Sequence, residues 1–317
     1  FEIRKKHIYQ SFNNSFNESY FKYLEILNDI LNSYNSEKAF IFNGRALRQK
    51  VISQILKKNK LKVLYIERNT WNLGRTVSSE DKIHSFKYLS QNKSKNYGIS
   101  VDDISVEELY EKRMIKNWEQ MHTENFDPIN NKKRIISYLS GSSDEYLAFT
   151  KEVMLKDCSS QLTLVKFLSK ICFDNNYDFI LRVHPNTRNK SKLDIDLWNE
   201  LGEYIISKKQ IFYNSASNVN TYSIIENSDL IITNGSTVTV ESCLKGKDVC
   251  LCGYSGLRDY KAAFIPKNLD ELKKYILYGK SINKDKTIKA AKKYLLDELQ
   301  AGRIIKKFSM KNNRFYF

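Results

Sequence analysis

The first third of the chain alternates between helical and strand-like spacing of its apolar residues. Aromatic and aliphatic residues recur every three to four positions over 11–36, which predicts an amphipathic helix. Short apolar runs at 39–42 and 61–66 flank a basic helical pattern at 46–57. Two strands joined by a helix predict a right-handed parallel β-α-β unit. Residues 70–103 lack a pattern and are expected to be irregular, and 106–122 are expected to be helical.

The second half shows a clearer alternation of short apolar runs and helical patterns. Strands are predicted at 134–139, 178–183, 211–213, 230–233 and 248–252. Helices are predicted between and after them, at 159–175, 191–207, 221–227, 238–245, 268–278 and 285–299. Strands and helices that alternate at this length indicate a parallel, doubly wound sheet.

The predicted organisation is two α/β domains with a cleft between them. Residues 125–133 are polar and contain one proline, so they are the best linker candidate. We therefore expect an N-terminal domain at 1–130, a C-terminal domain at 131–283 and a helix at 284–317 that crosses back to the N-terminal domain. Because the sequence begins with Phe, we also expect it to be part of a longer product.

Composition narrows the class of protein. An apolar content of 41% can build ordinary cores, and no apolar run approaches the roughly 20 residues of a membrane span. The net charge of +16 fits a nucleic acid, an anionic membrane or a phosphorylated small molecule as partner, or a lysine-rich compositional bias. The lysines are scattered and no nucleic-acid motif is present, so we expect no nucleic-acid partner. The basic segment 284–307 is expected either to lie on anionic lipid or to dock with a solvated face.

Five cysteines lie in or beside apolar segments, without a CxxC pair. Cys250 and Cys252 share one face of a strand, a spacing that rarely allows a disulfide. With only four histidines, a structural zinc site is not expected. We therefore expect buried thiols, no metal and a reducing, cytoplasmic location.

Two segments in the second half place polar groups where strands end. The segment 230–241 is an apolar strand, a small-residue turn (Asn234, Gly235, Ser236, Thr237) and the start of a helix. Such a turn offers backbone N–H groups and hydroxyls to a phosphate, although a plain helix N-cap has the same sequence. Glu241 follows one helical turn later and can accept the ribose hydroxyls of a nucleotide, or act as a capping carboxylate.

The second segment is Arg182-Val-His184-Pro185, in which Arg182 and His184 share one face of a strand that the proline stops. A phosphate grip is favoured over a solvated strand end because a phosphate-type turn follows a nearby strand. Two phosphate-type turns in one domain predict a nucleotide diphosphate or a monophosphate ester as ligand.

Three further groups follow strands. Asp144 and Glu145 come after the strand at 134–139 and are either a catalytic pair or first-turn helix acids. In the first domain, Asn43 and Arg45 follow one strand and Glu67 follows the next. Arg45 could bind a phosphate or a carboxylate with two hydrogen bonds. Glu67 could act as an acid or base toward an acceptor hydroxyl. The structural alternative is a salt bridge between the domains.

Taken in order, 42–45, 142–145, 182–185 and 234–241 resemble motifs of bacterial capsule and O-antigen glycosyltransferases of the GT-B architecture, and most of all the retaining β-Kdo transferases. The resemblance implies two Rossmann-type domains facing a cleft and transfer of Kdo from CMP-Kdo to a saccharide or lipid-linked saccharide, without a bound metal. It implies attack by Asp144, or alternatively Glu145, and acceptor handling by Glu67. His184, Ser236 and Thr237 would hold the phosphate, Glu241 the ribose, and Arg182 or Arg45 the sugar carboxylate.

Other activities fit the same fold. A transferase that uses CMP-sialic acid or a UDP-sugar, and a sugar-nucleotide 2-epimerase or hydrolase, share the two-domain plan. A cytoplasmic enzyme at the inner face of the cytoplasmic membrane is expected in the transferase case.

Overall fold

The computed structural model describes residues 2–33, 37–44, 47–68, 76–80, 105, 108, 111, 124–128, 133–142, 155–300, 303–304, 309–311 and 314–316. The chain divides into two compact units, Phe1–Lys95 with Glu298–Phe317 (unit 1) and Asn96–Asp297 (unit 2). The predicted division after residue 130 stays a prediction, because most of 96–132 lies outside the described residues.

The described elements follow one another along the chain in this order: α1 (Glu2–Ser33), β1 (Lys38–Phe42), α2 (Leu47–Lys58), β2 (Lys62–Arg68), β3 (Thr76–Ser79), β4 (Ile135–Leu139), α3 (Gln161–Asp174), β5 (Asp178–Arg182), α4 (Lys192–Ser207), β6 (Ile211–Tyr213), α5 (Thr221–Asn227), β7 (Leu230–Thr233), α6 (Thr237–Leu244), β8 (Val249–Leu251), α7 (Leu269–Tyr278), α8 (Lys284–Gln300), β9 (Arg303–Ile304), β10 (Ser309–Lys311) and β11 (Arg314–Tyr316). Two short 3-10 helices lie at Pro185–Asn189 and Gly256–Tyr260.

Unit 1 contains the predicted β-α-β arrangement, since β1 and β2 pair in parallel and α2 joins them. Alternate residues of these strands, Ile41, Val63 and Tyr65, are buried in one core cluster together with Leu56 of α2. The sheet then continues antiparallel through β3 and β9. The expectation that all of 70–103 is irregular was wrong at β3, which has one apolar residue in four and so gives no strand pattern.

Unit 2 contains a five-stranded, all-parallel sheet in the order β6-β5-β4-β7-β8. Its central strands β4 and β7 are buried along their whole length, which explains their continuous apolar sequence. The chain runs outward from β4 through β5 to β6 and then returns to β7 on the other side of β4. This confirms the predicted α/β class and makes the carboxyl ends of β4 and β7 the topological switch point, where open α/β sheets bind ligands.

Candidate functional site in unit 2

A cavity of about 390 Å³ lies at the carboxyl edge of the unit 2 sheet, beside the switch point. It extends from the end of β5 across the end of β4 to the first turn of α6. Five of the seven predicted donor-binding residues line it, namely Arg182, His184, Ser236, Thr237 and Glu241. These five residues lie up to 59 positions apart in sequence, from Arg182 to Glu241, and the cavity lining as a whole begins at Leu139.

His184 caps the 3-10 helix that follows β5. Its Nδ1 accepts a hydrogen bond from the backbone N–H of Asn186 at 3.1 Å. Because a backbone N–H can only donate, Nδ1 carries no proton in this arrangement, and the neutral imidazole must carry its proton on Nε2. His184 thus presents an N–H donor on the side of the ring away from the cap, which suits a phosphate oxygen.

The turn into α6 is held by close backbone packing. Gly235 has a φ of 102°, and a Cβ built on it would lie 1.8 Å from the carbonyl oxygen of Tyr254. Only glycine combines that backbone angle with such a close approach. Asn234 is fully buried, so it and Gly235 shape the turn without lining the cavity.

Ser236 is the N-cap residue of α6, yet within the described chain its side chain makes no capping hydrogen bond. The hydroxyl at position N3, on Thr239, pairs with Thr233 at 2.7 Å in the interior. Ser236 and the first two residues of α6, Thr237 and Val238, line the cavity, where the helix dipole favours an anion.

Glu241 lies four residues after Thr237, and both side chains line the cavity, as the helical spacing predicts. Only 4% of Glu241 is exposed. The capping-box alternative does not fit, because N3 of this helix is Thr239 and not Glu241. A carboxylate here can accept hydrogen bonds from hydroxyl groups, and the role of Glu241 toward a ribose stays a prediction.

Arg182 also lines the cavity, but it is 2% exposed and bonded to the protein itself. Its Nη1 donates to the carbonyl of Asn214 and its Nη2 to the carbonyl of Ser217 at 3.1 Å. Burial lowers the pKa of Arg182 to about 10, so the guanidinium remains cationic at neutral pH. Arg182 thereby fixes the loop after β6, and its role toward a ligand stays a prediction.

Hydrogen bonds connect the residues that follow β4 to His184 and to Gln161 of α3. Ser140 Oγ accepts the backbone N–H of His184 at 2.8 Å. The buried side-chain amide of Gln161 makes two hydrogen bonds to the next residue, Gly141. Its Oε1 accepts from the N–H of Gly141 at 3.0 Å, and its Nε2 donates to the carbonyl of Gly141 at 3.2 Å. These bonds fix where His184 stands relative to β4.

Sequence patterns missed several lining residues because neither the turns after β4 and β5 nor the start of α5 carries a distinctive motif. They are Ser140, Asn186, Arg188, Asn189, Thr221 and Tyr222. The one indication in the sequence was the short spacing between His184-Pro185 and Arg188, which becomes meaningful only when the segment is seen to turn as a 3-10 helix.

In unit 1, the structure brings two of the predicted acceptor-side residues together. Asn43 directly follows β1, while Glu67 lies within β2 and not after it as predicted, and Asn43 Nδ2 donates to Glu67 Oε1 at 3.0 Å. Arg45, Asp144 and Glu145 lie outside the described residues. The roles of all these residues stay predictions.

The described residues also show which metal-ligand groups, disulfide bonds and membrane-spanning helices this part of the chain contains. The described residues contain no group of three or more His, Cys, Asp or Glu side chains placed to hold a metal ion. All five cysteines are buried and unbridged, with the sulfurs of Cys250 and Cys252 4.0 Å apart. Among the described helices, none combines the length and the apolar character needed to cross a bilayer.

No family model and no curated protein sequence matches this chain. Solved structures similar to it include the β-Kdo 2,7 transferase of Thermosulfurimonas dismutans KpsC, at 14% identity and a TM-score of 0.42, covering 84% of this chain and 88% of that one. The β-Kdo 2,4 transferase of the same KpsC has 12% identity and a TM-score of 0.41, with 80% and 86% covered. A UDP-GlcNAc 2-epimerase of Methanocaldococcus jannaschii, in complex with UDP-GlcNAc and UDP, has 13% identity and a TM-score of 0.39, with 89% and 81% covered. Identities this low assign no activity, so we derive a function from the cavity and its residues.

Proposed function

We propose that unit 2 binds a nucleotide sugar and that the protein is a glycosyltransferase of bacterial surface polysaccharide synthesis. One observation carries this proposal: a helix N-terminus, the imidazole of His184 and the carboxylate of Glu241 converge on one cavity at the switch point of a parallel sheet. The first two groups suit a phosphate, and the carboxylate suits the hydroxyls of a ribose.

The same groups stabilise the leaving nucleotide. When the bond between the sugar and the phosphate oxygen breaks, the electron pair and the negative charge go to the phosphate. Because Ser236, the first residues of α6 and His184 already line the cavity, their N–H and hydroxyl groups would stabilise this charge with little reorganisation.

We further propose CMP-Kdo as the donor, a choice supported by the motif resemblance. A carboxylate oxygen of Asp144, or alternatively of Glu145, would bond to the anomeric carbon as CMP leaves. An acceptor hydroxyl would then displace the carboxylate and transfer its proton to Glu67, which Asn43 orients. Replacing Asp144 with Asn should abolish product formation while leaving CMP affinity within about twofold; if D144N keeps activity and E145Q loses it, Glu145 is the nucleophile.

Nucleotide binding is the first test of this function. Thermal unfolding would be followed with CMP, CDP, UMP, UDP and GDP, because a ligand at a hundred times its Kd adds roughly 2.7 kcal/mol of stability. Selective stabilisation by cytidine nucleotides is expected. Preference for UDP would contradict the CMP-sugar donor and favour a UDP-sugar transferase or a 2-epimerase, and no shift with any nucleotide would contradict the proposed function.

Two variants of His184 separate folding from binding. His184→Asn keeps an acceptor for the Asn186 N–H, since Asn is a good N-cap residue, but it removes the Nε2 donor. His184→Ala removes both. We expect H184N to retain wild-type stability and to bind CMP about tenfold more weakly, as expected for one lost hydrogen bond to a charged group. Unchanged CMP affinity in H184N would show that the imidazole does not contact the phosphate.

We also propose that α8 contacts an anionic membrane by charge alone. Its inward positions are buried, including Ala291 and Leu295 at 0% exposure, so this apolar side is not available for insertion. The opposite side exposes Lys286, Lys289 and Lys293 within one stripe of the helix. Lysines near an anionic surface contribute about 1 kcal/mol each.

Sedimentation with vesicles tests this contact. Vesicles of phosphatidylglycerol and phosphatidylcholine should bind the wild type at low salt and lose it when the three lysines of the stripe are changed to Glu. A control variant reverses an equal number of exposed lysines elsewhere in unit 2, Lys166, Lys170 and Lys192. Equal losses in both variants would indicate attraction by net charge and contradict a specific face.

A further inference from the structure

The charged groups that line the cavity differ in their exposure. The described lining contains two arginines and one carboxylate, Arg182, Arg188 and Glu241. Arg182 is buried and donates through Nη1 and Nη2 to two backbone carbonyls. Arg188 is exposed and lies on the 3-10 helix that follows His184. The cation that a ligand meets at the surface of this cavity is therefore Arg188.

The 3-10 helix decides where Arg188 points. It contains Pro185–Asn189, and residues three apart on such a helix lie on one face. Arg188 therefore shares a face with Pro185, and both line the cavity, while Thr187 between them is 2% exposed and turned inward. Arg188 and His184 are thus contributed to the cavity by one continuous segment, the end of β5 and the 3-10 helix.

The backbone of Arg188 lies further along the helix than that of His184. Four residues at a rise of about 2 Å each separate its backbone from that of His184 by roughly 8 Å along the axis. A phosphate held between His184 and the N-terminus of α6 occupies the region where β5, β4 and β7 end. The guanidinium then meets the part of the ligand that extends beyond this phosphate along the 3-10 helix.

Building on the proposed function, we infer that Arg188 binds a second anionic group of the donor, next to the phosphate held by His184 and α6. A planar guanidinium suits either of two such groups by bidentate hydrogen bonding: the carboxylate of a 2-keto acid sugar or the β-phosphate of a nucleoside diphosphate. Arg188 is thus the residue that selects donors by charge. This assignment gives Arg188 the carboxylate role that the sequence suggested for Arg182 or Arg45.

Calorimetric titration with three cytidine ligands tests this inference. CMP carries the phosphate alone, CDP adds a β-phosphate, and CMP-N-acetylneuraminate adds a sugar carboxylate. The variants are Arg188→Gln, which removes the charge, and Arg188→Lys, which keeps the charge but cannot form bidentate hydrogen bonds. Arg258→Gln is the matched control, because Arg258 lies in the last turn of the other 3-10 helix and outside the cavity lining.

The wild type should bind CDP or CMP-N-acetylneuraminate at least about tenfold more tightly than CMP. R188Q should reduce this difference in affinity to within about twofold, while its Kd for CMP changes by less than about twofold. R188K should retain part of the difference, and R258Q should retain all of it. The ligand whose advantage disappears identifies the second group as phosphate or carboxylate.

Three results would overturn the inference. R188Q could weaken all three ligands equally, which would place Arg188 on the first phosphate. The advantage could survive in R188Q, or be absent in the wild type although CMP binds, and in both cases the nucleotide-binding function would stand without this role for Arg188. Failure of the wild type to bind any of the three ligands would instead contradict the proposed function itself.

Discussion

The turn into α6 provides a direct test of how the site is built, because Gly235 packs so closely against the backbone of Tyr254 that no Cβ atom fits between them. In Gly235→Ala, the new Cβ would lie 1.8 Å from the carbonyl oxygen of Tyr254 and 2.7 Å from its carbon. Real Cβ atoms essentially never approach within 3.0 Å, so one of the two backbones must move by about 1 Å. A non-glycine residue at a φ of 102° adds strain of roughly 1–3 kcal/mol.

We therefore expect G235A to lose roughly 2–4 kcal/mol of unfolding free energy, from strain together with the displaced turn. The displacement moves Ser236 and the first N–H groups of α6 away from the phosphate position. Affinity for CMP should fall at least about tenfold, since a charge-assisted hydrogen bond does not survive a shift of this size. Urea unfolding followed by circular dichroism and calorimetric titration of the folded variant give the two quantities separately.

Gly246→Ala is the matched control at the other end of the same helix. Gly246 has a φ of 65°, and its added Cβ would meet the flexible side chain of Lys284, starting at 2.3 Å from Cγ. Strain at this C-terminal position should cost roughly 1 kcal/mol without affecting the N-terminus of α6. Wild-type CMP affinity in G235A, or equal losses of affinity in both variants, would refute the proposed link between this turn and the phosphate.

Three further predictions follow from buried groups. Glu241→Gln should reduce the preference for CMP over its 2′,3′-dideoxy analogue to within about twofold, measured by calorimetric titration, whereas Glu203→Gln on the exposed face of α4 should preserve it; a preserved preference in E241Q would rule out the ribose contact. Gln161→Leu leaves both the N–H and the carbonyl of Gly141 without their side-chain partner and should cost about 2 kcal/mol or more in urea unfolding; a neutral Q161L would contradict this role. Burial raises the pKa of Cys172 to about 12, so near pH 8 only about one thiol in ten thousand is ionised. Because all five cysteines are buried, Ellman's reagent should label them in guanidinium chloride but label the native protein slowly, and rapid native labelling would contradict their burial.

The sign of pH effects on the thiols follows from burial. A pKa raised in the folded state, as for Cys172, means that the thiol is neutral in both states below its unfolded pKa. Above that pKa the unfolded chain loses the proton first, so stability falls as pH rises toward the folded pKa. Any alkaline loss of stability from this group should therefore begin near pH 8.5 and should be absent from Cys172→Ala.

Elements with strong apolar periodicity could be predicted closely from the sequence. The strands β6 and β7 and the helix α5 have the predicted bounds, and most other elements of unit 2 differ by one or two residues. The antiparallel strands β3 and β9 and the two 3-10 helices could not, because a short strand or turn held by backbone pairing has no apolar repeat. Their hydrogen-bond partners come from distant segments that local sequence does not identify.

The sequence alone determined that polar residues follow buried strands. These residues are candidates for ligand contact because they lie at the carboxyl edge of a parallel sheet. Which of them share a cavity was decided by strand order, since β4 lies between β5 and β7 and so brings His184 beside α6. The tertiary structure also decided how each side chain is used. Arg182 and Arg188 look alike in sequence, but two loop carbonyls hold the first in the interior and the second is exposed, because burial and hydrogen-bond partners are properties of the folded chain.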